Sequence, residues 1–197
     1  MYKKVMLEIY EDDERLARFA QDVLRWHNHK SIFCNIPFRG MFDPVVRLPG
    51  PNSLKTVAAD QELYIVAHGR RGDPGFYNSE GGELNVYNVA HMLARSGLTK
   101  QIKTIKLYCC YSGSTLEENM LSENYHMPLG HYFKQALLSL NFNQVTVYGY
   151  SKQLWNTKQA GTPKYDTSGT MLQDKNGRVI LASGEKWVRP SKVRVKF

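Results

Sequence analysis

No apolar run in this chain approaches the roughly 20 residues that a bilayer-spanning helix needs, so a soluble chain with no membrane span is expected. The opening Met1-Tyr2-Lys3-Lys4 leads into a short strand and lacks the apolar core of a signal peptide. Cysteine is scarce. Cys34, Cys109 and Cys110 make an odd set of three, and the adjacent pair, if on a strand, points to opposite faces. A disulfide framework suits such a set poorly, and a zinc site is disfavoured because a spacing such as C-x-x-C is wanting. A reducing compartment suits these thiols, either a bacterial cytoplasm or a host cytosol reached by secretion. Acidic residues are also short, 18 against 26 lysines and arginines, for a net charge of +8. Such charge attracts any polyanion and selects none of them, so it does not by itself name nucleic acid as a partner. Lys186, Arg189, Lys192, Arg194 and Lys196 cluster at the C-terminus, where Val193 and Val195 alternate with the charges. This pattern reads as an edge strand with one wet basic face. Neither an internal repeat nor a low-complexity segment is visible.

What is present is the composition of a single globular domain over residues 1–197, with 42% hydrophobic and 22% charged residues. Its centre is Thr104-Ile105-Lys106-Leu107-Tyr108-Cys109, a β-branched and aromatic run of strand length that ends at Cys110 and the turn-forming Ser112-Gly113-Ser114. Glu62-Leu63-Tyr64-Ile65-Val66-Ala67, followed by His68-Gly69, has the same form. Between the two, Leu84 to Arg95 carries Val86, Val89, Ala90 and Leu93 on one helical face. Strand, helix and strand predict a βαβ crossover with parallel strands. Their carboxyl ends then share one edge, about 5 Å apart if the strands are neighbours. His68 and Cys110 would face each other there, on the edge where open α/β sheets gather ligands. A thiol beside an imidazole makes a nucleophile and its proton partner, because the thiolate is the reactive species. The chemistry implied is acyl transfer.

The remaining elements follow the same alternation. Val5 to Tyr10 predicts a first strand, and Glu11-Asp12-Asp13-Glu14 the acidic opening of a helix striped by Leu16, Phe19, Ala20, Val23 and Leu24. If the first strand is parallel to the others, these acids emerge on the edge shared by His68 and Cys110; helix capping is the competing reading for either aspartate. Ser31 to Pro51 reads as short strands and turns. Arg70 to Gly82 is glycine-rich and predicts a loop over the cleft, but the next helix begins too far on for a P-loop or a dinucleotide fingerprint. Arg71-Gly72-Asp73 reads as a chance tripeptide. Thr115 to His126 is polar and irregular. Leu129, Phe133, Ala136, Leu137 and Leu140 mark another amphipathic helix, and Val145 to Tyr150 another strand. Beyond Ser151, Asp174-Lys175-Asn176-Gly177 before Val179-Ile180-Leu181 signals a hairpin, with Trp187-Val188 further on. The fold class expected is α/β, a mostly parallel sheet flanked by helices, with a C-terminal β-hairpin extension.

His-Gly after one strand, and a cysteine before a Ser/Gly turn after the next, resembles the signature of the caspase-like cysteine peptidases of clan CD. Tyr108-Cys109-Cys110-Tyr111-Ser112-Gly113-Ser114 is similar to the legumain-type form. Ile65-Val66-Ala67-His68-Gly69-Arg70 and Leu129-Gly130-His131-Tyr132-Phe133 resemble more closely the self-cleaving cysteine protease domain of the multifunctional RTX toxins and the large clostridial glucosylating toxins. The likeness runs from about Val5 to Trp187. It implies a caspase-like three-layer sandwich and a cysteine endopeptidase with Cys110 as nucleophile, His68 as general acid/base and Asp12 as orienting acid. The main-chain N–H groups of Gly69 and Cys110 would form the oxyanion hole, and an apolar pocket would take leucine before the scissile bond. Cys109 stands where relatives carry a small residue. The implied partner is a protein or peptide substrate, which includes the chain itself or a larger toxin or effector. Those toxin domains respond to inositol hexakisphosphate at a basic surface. Here Glu62, His91, Thr170 and Met171 occupy positions where relatives are basic, so activation by that ligand is not expected, although Lys158, Lys164, Lys186 and Arg189 offer material for a different site.

Taken singly, a cysteine is often a small buried hydrophobe and a strand-end histidine a structural one. The pair in matching contexts favours an active endopeptidase with no cofactor. Two other readings remain open at this stage: a catalytically inactive relative that binds a peptide or host protein, and a polyanion-binding module resting on net charge.

Overall fold

The β-branched and aromatic runs become strands, and turn-forming residues keep each of them short. The computed structural model describes residues 4–10, 12–33, 46–47, 49–114, 127–151, 153–155, 165–167, 171–173, 179–181 and 194–197. In chain order the elements are β1 (Lys4–Glu8), α1 (Glu14–Phe33), β2 (Val46–Arg47), β3 (Glu62–Val66), β4 (Gly75–Tyr77), β5 (Glu83–Asn85), α2 (Val86–Arg95), β6 (Thr104–Tyr108), α3 (Leu129–Ser139), β7 (Thr146–Tyr150), β8 (Gln153–Trp155), β9 (Tyr165–Thr167), β10 (Met171–Gln173), β11 (Val179–Leu181) and β12 (Arg194–Lys196).

Six strands form the central sheet in the order β12-β7-β6-β3-β1-β2, parallel throughout except for β12 at one edge. β2 lies outside β1, whereas β6 and β7 extend the sheet on the far side of β3. The winding therefore reverses between β1 and β3, and in sheets of this kind the crevice at the reversal is where ligands settle. Register sets the rim. Glu8 pairs with Val66, and Val66 with Tyr108, so β1, β3 and β6 end flush.

Alternation along the strands divides the core between two faces. Val5, Leu7, Leu63, Ile65, Ile105, Leu107 and Cys109 point toward α2 and α3, where they meet Val89, Leu93, Phe133 and Leu137. Met6, Tyr64, Val66, Tyr108 and Tyr150 point toward α1 and meet Leu16, Ala20 and Val23. The stripe expected on α1 is thus its buried side. Lys106 is a charged residue within the buried strand β6. Its ammonium donates to Glu62 at 2.7 Å and to the Tyr64 hydroxyl at 2.9 Å, which satisfies a charge that is only 6% exposed.

The structure departs from the sequence reading after His68. The segment expected as a loop contains β4, which pairs antiparallel with β5. Phe76 is the cause: it is fully buried and packs edge-on against Phe133, with centroids 5.4 Å apart, and so draws the segment down onto the core. Leu84, expected in the helix, belongs to β5. Helix α2 begins after Asn85, whose side chain caps it by accepting from Tyr87 N–H at 2.8 Å. The expected C-terminal edge strand is β12, with Arg194 and Lys196 exposed. β10 and β11 pair antiparallel as the hairpin reading requires. The connecting Asp174-Lys175-Asn176-Gly177, together with Trp187-Val188, Thr115 to His126 and most of Ser31 to Pro51, lies outside the described residues. Among the described residues no helix is long and apolar enough to cross a membrane.

Candidate active site

Val66 and Tyr108 are the last paired residues of β3 and β6, so Ala67-His68 and Cys109-Cys110 are the residues that leave the two flush strand ends. Cys109 continues the alternation into the α2/α3 core and is 1% exposed. Burial, with Cys110 nearby, pushes its thiol far above the ordinary range. Cys110 turns to the other face, is partly exposed and packs at the margin of the α1 cluster. Its sulfur accepts from Leu154 N–H of β8 at 3.2 Å, and the thiol reaches the Leu154 carbonyl oxygen at 3.6 Å.

Small residues after Cys110 are required by the space behind it. Ser112 is fully buried, and its hydroxyl bridges the Cys109 carbonyl at 2.8 Å and the Tyr150 N–H at 3.0 Å. A side chain at Gly149 would meet the Ser112 carbonyl oxygen at 2.6 Å, and one at Gly113 would meet Val195 at 3.0 Å. The turn is therefore clamped between β7, β12 and the start of α3, and Cys110 is presented from a rigid support.

His68 sits exposed on the rim with its main chain locked in an antiparallel bridge to β4. Its N–H donates to the Tyr77 carbonyl at 2.8 Å, and its carbonyl accepts from Tyr77 N–H at 2.9 Å. Next to it, Gly69 lies against Cys110 so closely that a Cβ would be built into the Cys110 carbonyl oxygen. Only glycine lets these two strand ends approach this far. Partial burial lowers the His68 pKa, the Asp13 carboxylate raises it, and Arg15 lowers it further; the net shift is downward.

The acids separate by one position. Asp12 is exposed. Asp13, 7% exposed, is the carboxylate that interacts electrostatically with His68. It caps α1, with Oδ1 accepting from Arg15 N–H at 3.1 Å and Leu16 N–H at 3.0 Å. It also accepts from Ser79, through the hydroxyl at 2.7 Å on Oδ1 and the main-chain N–H at 2.5 Å on Oδ2. Burial raises the Asp13 pKa, but these hydrogen bonds and the nearby His68 outweigh it and hold the carboxyl below the ordinary value. Ser79 in turn lies 3.1 Å from His68 Nε2.

A cavity of about 680 Å³ opens between the start of α1 and the connection from β4 to β5, lined by Tyr10, Asp12, Asp13, Arg15, Asn78 and Ser79 among others. Its described lining is polar and includes neither His68 nor Cys110, so it adjoins the Asp13 side of the site and does not provide the apolar pocket expected beside the thiol. For the inositol hexakisphosphate positions, Glu62 is an anion paired to Lys106 and His91 is exposed on α2. Thr170 and the cations Lys158, Lys164, Lys186 and Arg189 lie outside the described residues. Among the described residues no group of three or more His, Cys, Asp or Glu is placed to hold a metal ion.

Gly69 and Cys110 are therefore brought together, His68 precedes Gly69 on the same rim, and the aspartate that interacts with His68 is Asp13 and not Asp12. Sequence reasoning missed Ser79 and the Leu154 main chain, and of the two aspartates it placed on this edge it gave the orienting role to Asp12 and not to Asp13. Asp13 had one legible signal, its position immediately before Glu14 at the helix start, where an N-cap turns inward. Ser79 and Leu154 had none, since each is more than 40 residues from Cys110 or 60 from Asp13 along the chain. No protein-family model matches the chain, and a search of the curated proteins finds no match.

Proposed function

We propose that this chain is a cysteine endopeptidase of the caspase-like, toxin-processing type, with Cys110 as nucleophile and His68 as general acid/base. One geometric relation carries the reading: His68 and Cys110 leave the flush ends of two adjacent parallel strands, with the Gly69 main chain against the Cys110 carbonyl. In the forward step His68 takes the thiol proton and the sulfur adds to the scissile carbonyl. The oxyanion is received by the N–H groups of Gly69 and Cys110, each such donor being worth about 3 kcal/mol. His68 then returns the proton to the leaving amine, which departs and leaves a thioester on Cys110. Water, deprotonated by the same imidazole, hydrolyses the thioester and restores the thiol. The orienting carboxylate in this scheme is Asp13 in place of Asp12, because Asp13 is the acid coupled to the imidazole. The substrate is a protein or peptide cut after an apolar residue such as leucine, and a thiol of this kind works in a reducing compartment.

A second reading, a non-catalytic cleft that binds a peptide, is favoured by the Leu154 main chain, which already occupies the Cys110 sulfur on both its donor and acceptor sides. A leucine-bearing acyloxymethyl ketone separates the two. Covalent labelling that disappears in Cys110→Ala and persists in Cys109→Ala supports the peptidase; absence of labelling in the native chain, with reversible binding of the parent peptide, supports the second reading. A cleavage-site profile comparing the native protein with Cys110→Ala then identifies the sequence cut.

A further inference from the structure

The carboxylate of Asp13 has no room for the imidazole. Its Oδ1 receives Arg15 N–H, Leu16 N–H and the Ser79 hydroxyl, and its Oδ2 receives Ser79 N–H. Four donors fill the approximately four acceptor sites of a carboxylate, so His68 meets a hydroxyl where a direct acid would otherwise stand.

A serine hydroxyl has one proton. Toward a carboxylate that only accepts, that proton must be donated, and at 2.7 Å the Ser79 to Asp13 contact is a strong charge-assisted hydrogen bond. Toward His68 Nε2, at 3.1 Å, the same oxygen is left with lone pairs alone. The nitrogen it faces must then carry a hydrogen. We infer that Ser79 is a positioning residue whose hydroxyl, with its proton committed to Asp13, holds His68 as the Nε2–H tautomer and leaves Nδ1 as the basic nitrogen.

The support is rigid on both sides. Ser79 is anchored to Asp13 through its main chain as well as its hydroxyl, and the flanking Asn78 ties its own turn by accepting from Glu80 N–H at 3.1 Å and Gly82 N–H at 2.6 Å. His68 is fastened through its main chain to Tyr77, one residue before Asn78. The imidazole and the hydroxyl that reads it are therefore both tied to β4, His68 by its bridge to Tyr77 and Ser79 by following that strand, and the cap of α1 sets the direction of the hydroxyl proton. A fixed tautomer matters where one ring nitrogen must stay free to take a proton, since an imidazole in the wrong tautomer cannot serve as base.

The catalytic meaning of this inference rests on the peptidase reading; the tautomer does not. The test is long-range proton–nitrogen NMR of the full chain labelled with ¹⁵N-histidine, recorded well above the imidazole titration, with the His68 signals assigned by their loss in His68→Gln. The native protein is expected to show a protonated, pyrrole-type Nε2 and a pyridine-type Nδ1. In Ser79→Ala the two signals should move toward the averaged values of an unrestrained ring, and Ser79→Thr, which keeps the hydroxyl, should restore them. In the same series the alkylation rate of Cys110 should fall about tenfold in Ser79→Ala and recover in Ser79→Thr, roughly the effect of one hydrogen bond. A native His68 protonated at Nδ1, or signals unmoved by Ser79→Ala, would overturn the inference, and the first of these needs no variant to fold. The expected tautomer in a chain that cleaves no peptide would instead leave the inference standing and remove the peptidase reading.

Discussion

Replacing Gly69 with alanine tests the contact on which the site depends. The added Cβ would clash with the Cys110 carbonyl oxygen, about 1 Å inside an ordinary contact, and lie 3.3 Å from Cys109 Cβ. Ordinary carbon contacts sit at about 3.5–4.0 Å, so the ends of β3 and β6 must part by roughly 1 Å. Neither partner is a flexible side-chain tip: one is main chain, and the other is the Cβ of a cysteine buried at 1% exposure. Overpacking at a site that cannot give costs about 1–3 kcal/mol. For a domain of this size each kcal/mol lowers the melting temperature by about 2–4 °C, so a loss of roughly 2–12 °C is expected. A misplacement of about 1 Å also slows a positioned reaction by about a hundredfold, so alkylation of Cys110 should be affected more strongly than stability. Urea denaturation and thermal melting give the first quantity, and peptide-mapped alkylation the second. Gly50→Ala is the control, since nothing lies within 4 Å of its Cβ; it should be neutral or stabilising by up to about 1 kcal/mol. A Gly69→Ala chain as stable and as reactive as the native protein would show that His68-Gly69 and Cys110 do not meet, and the site would dissolve with it.

Three further outcomes follow from the geometry. In the folded protein iodoacetamide should modify Cys110 and spare Cys109, whose thiol is buried and titrates far above the ordinary range; mass spectrometry of the digest decides this, and equal modification of both would contradict the alternation of the strand. The His68 pKa is lowered on folding because burial disfavours the cation, with Asp13 opposing and Arg15 adding to the shift. The unfolded chain then binds the proton more readily, so the stability linked to His68 is complete above about pH 6.5 and falls as the pH drops below that value. His68→Gln should flatten this part of the curve of urea midpoint against pH, and an unchanged slope would place its origin elsewhere. Finally, Glu62→Gln removes the charge opposite a lysine that is 6% exposed. Because the glutamate side chain keeps a third of its exposure, the loss expected in urea denaturation is about 1–2 kcal/mol, below that of a fully buried pair.

Much of the fold was legible because it depends on local composition and spacing. The runs at Leu63 to Val66 and Ile105 to Tyr108 have the residue types and length of strands, and Val89, Ala90 and Leu93 recur at the spacing of a helix face; both are properties of the chain alone. The error after His68 has the opposite origin. Gly75-Phe76-Tyr77 is too short to display a period, and it becomes a strand because Phe133, far along the chain, provides a place for the Phe76 ring. At Asp12 and Asp13 the sequence offers two identical side chains, and the entry angle of α1 decides which of them turns inward.

The sequence by itself determined which residue types stand at the ends of the strands: an imidazole after β3, a thiol after β6 and acids after β1, each marked by the turn that stops its strand. Tertiary structure alone decided how they are arranged. Parallel register set His68 and Cys110 beyond the flush ends of neighbouring strands, the cap of α1 selected Asp13, and hairpin closure put Ser79 between that acid and the imidazole. Contacts of this kind join residues distant along the chain, and their geometry is set by how whole elements pack, a quantity that no local pattern encodes.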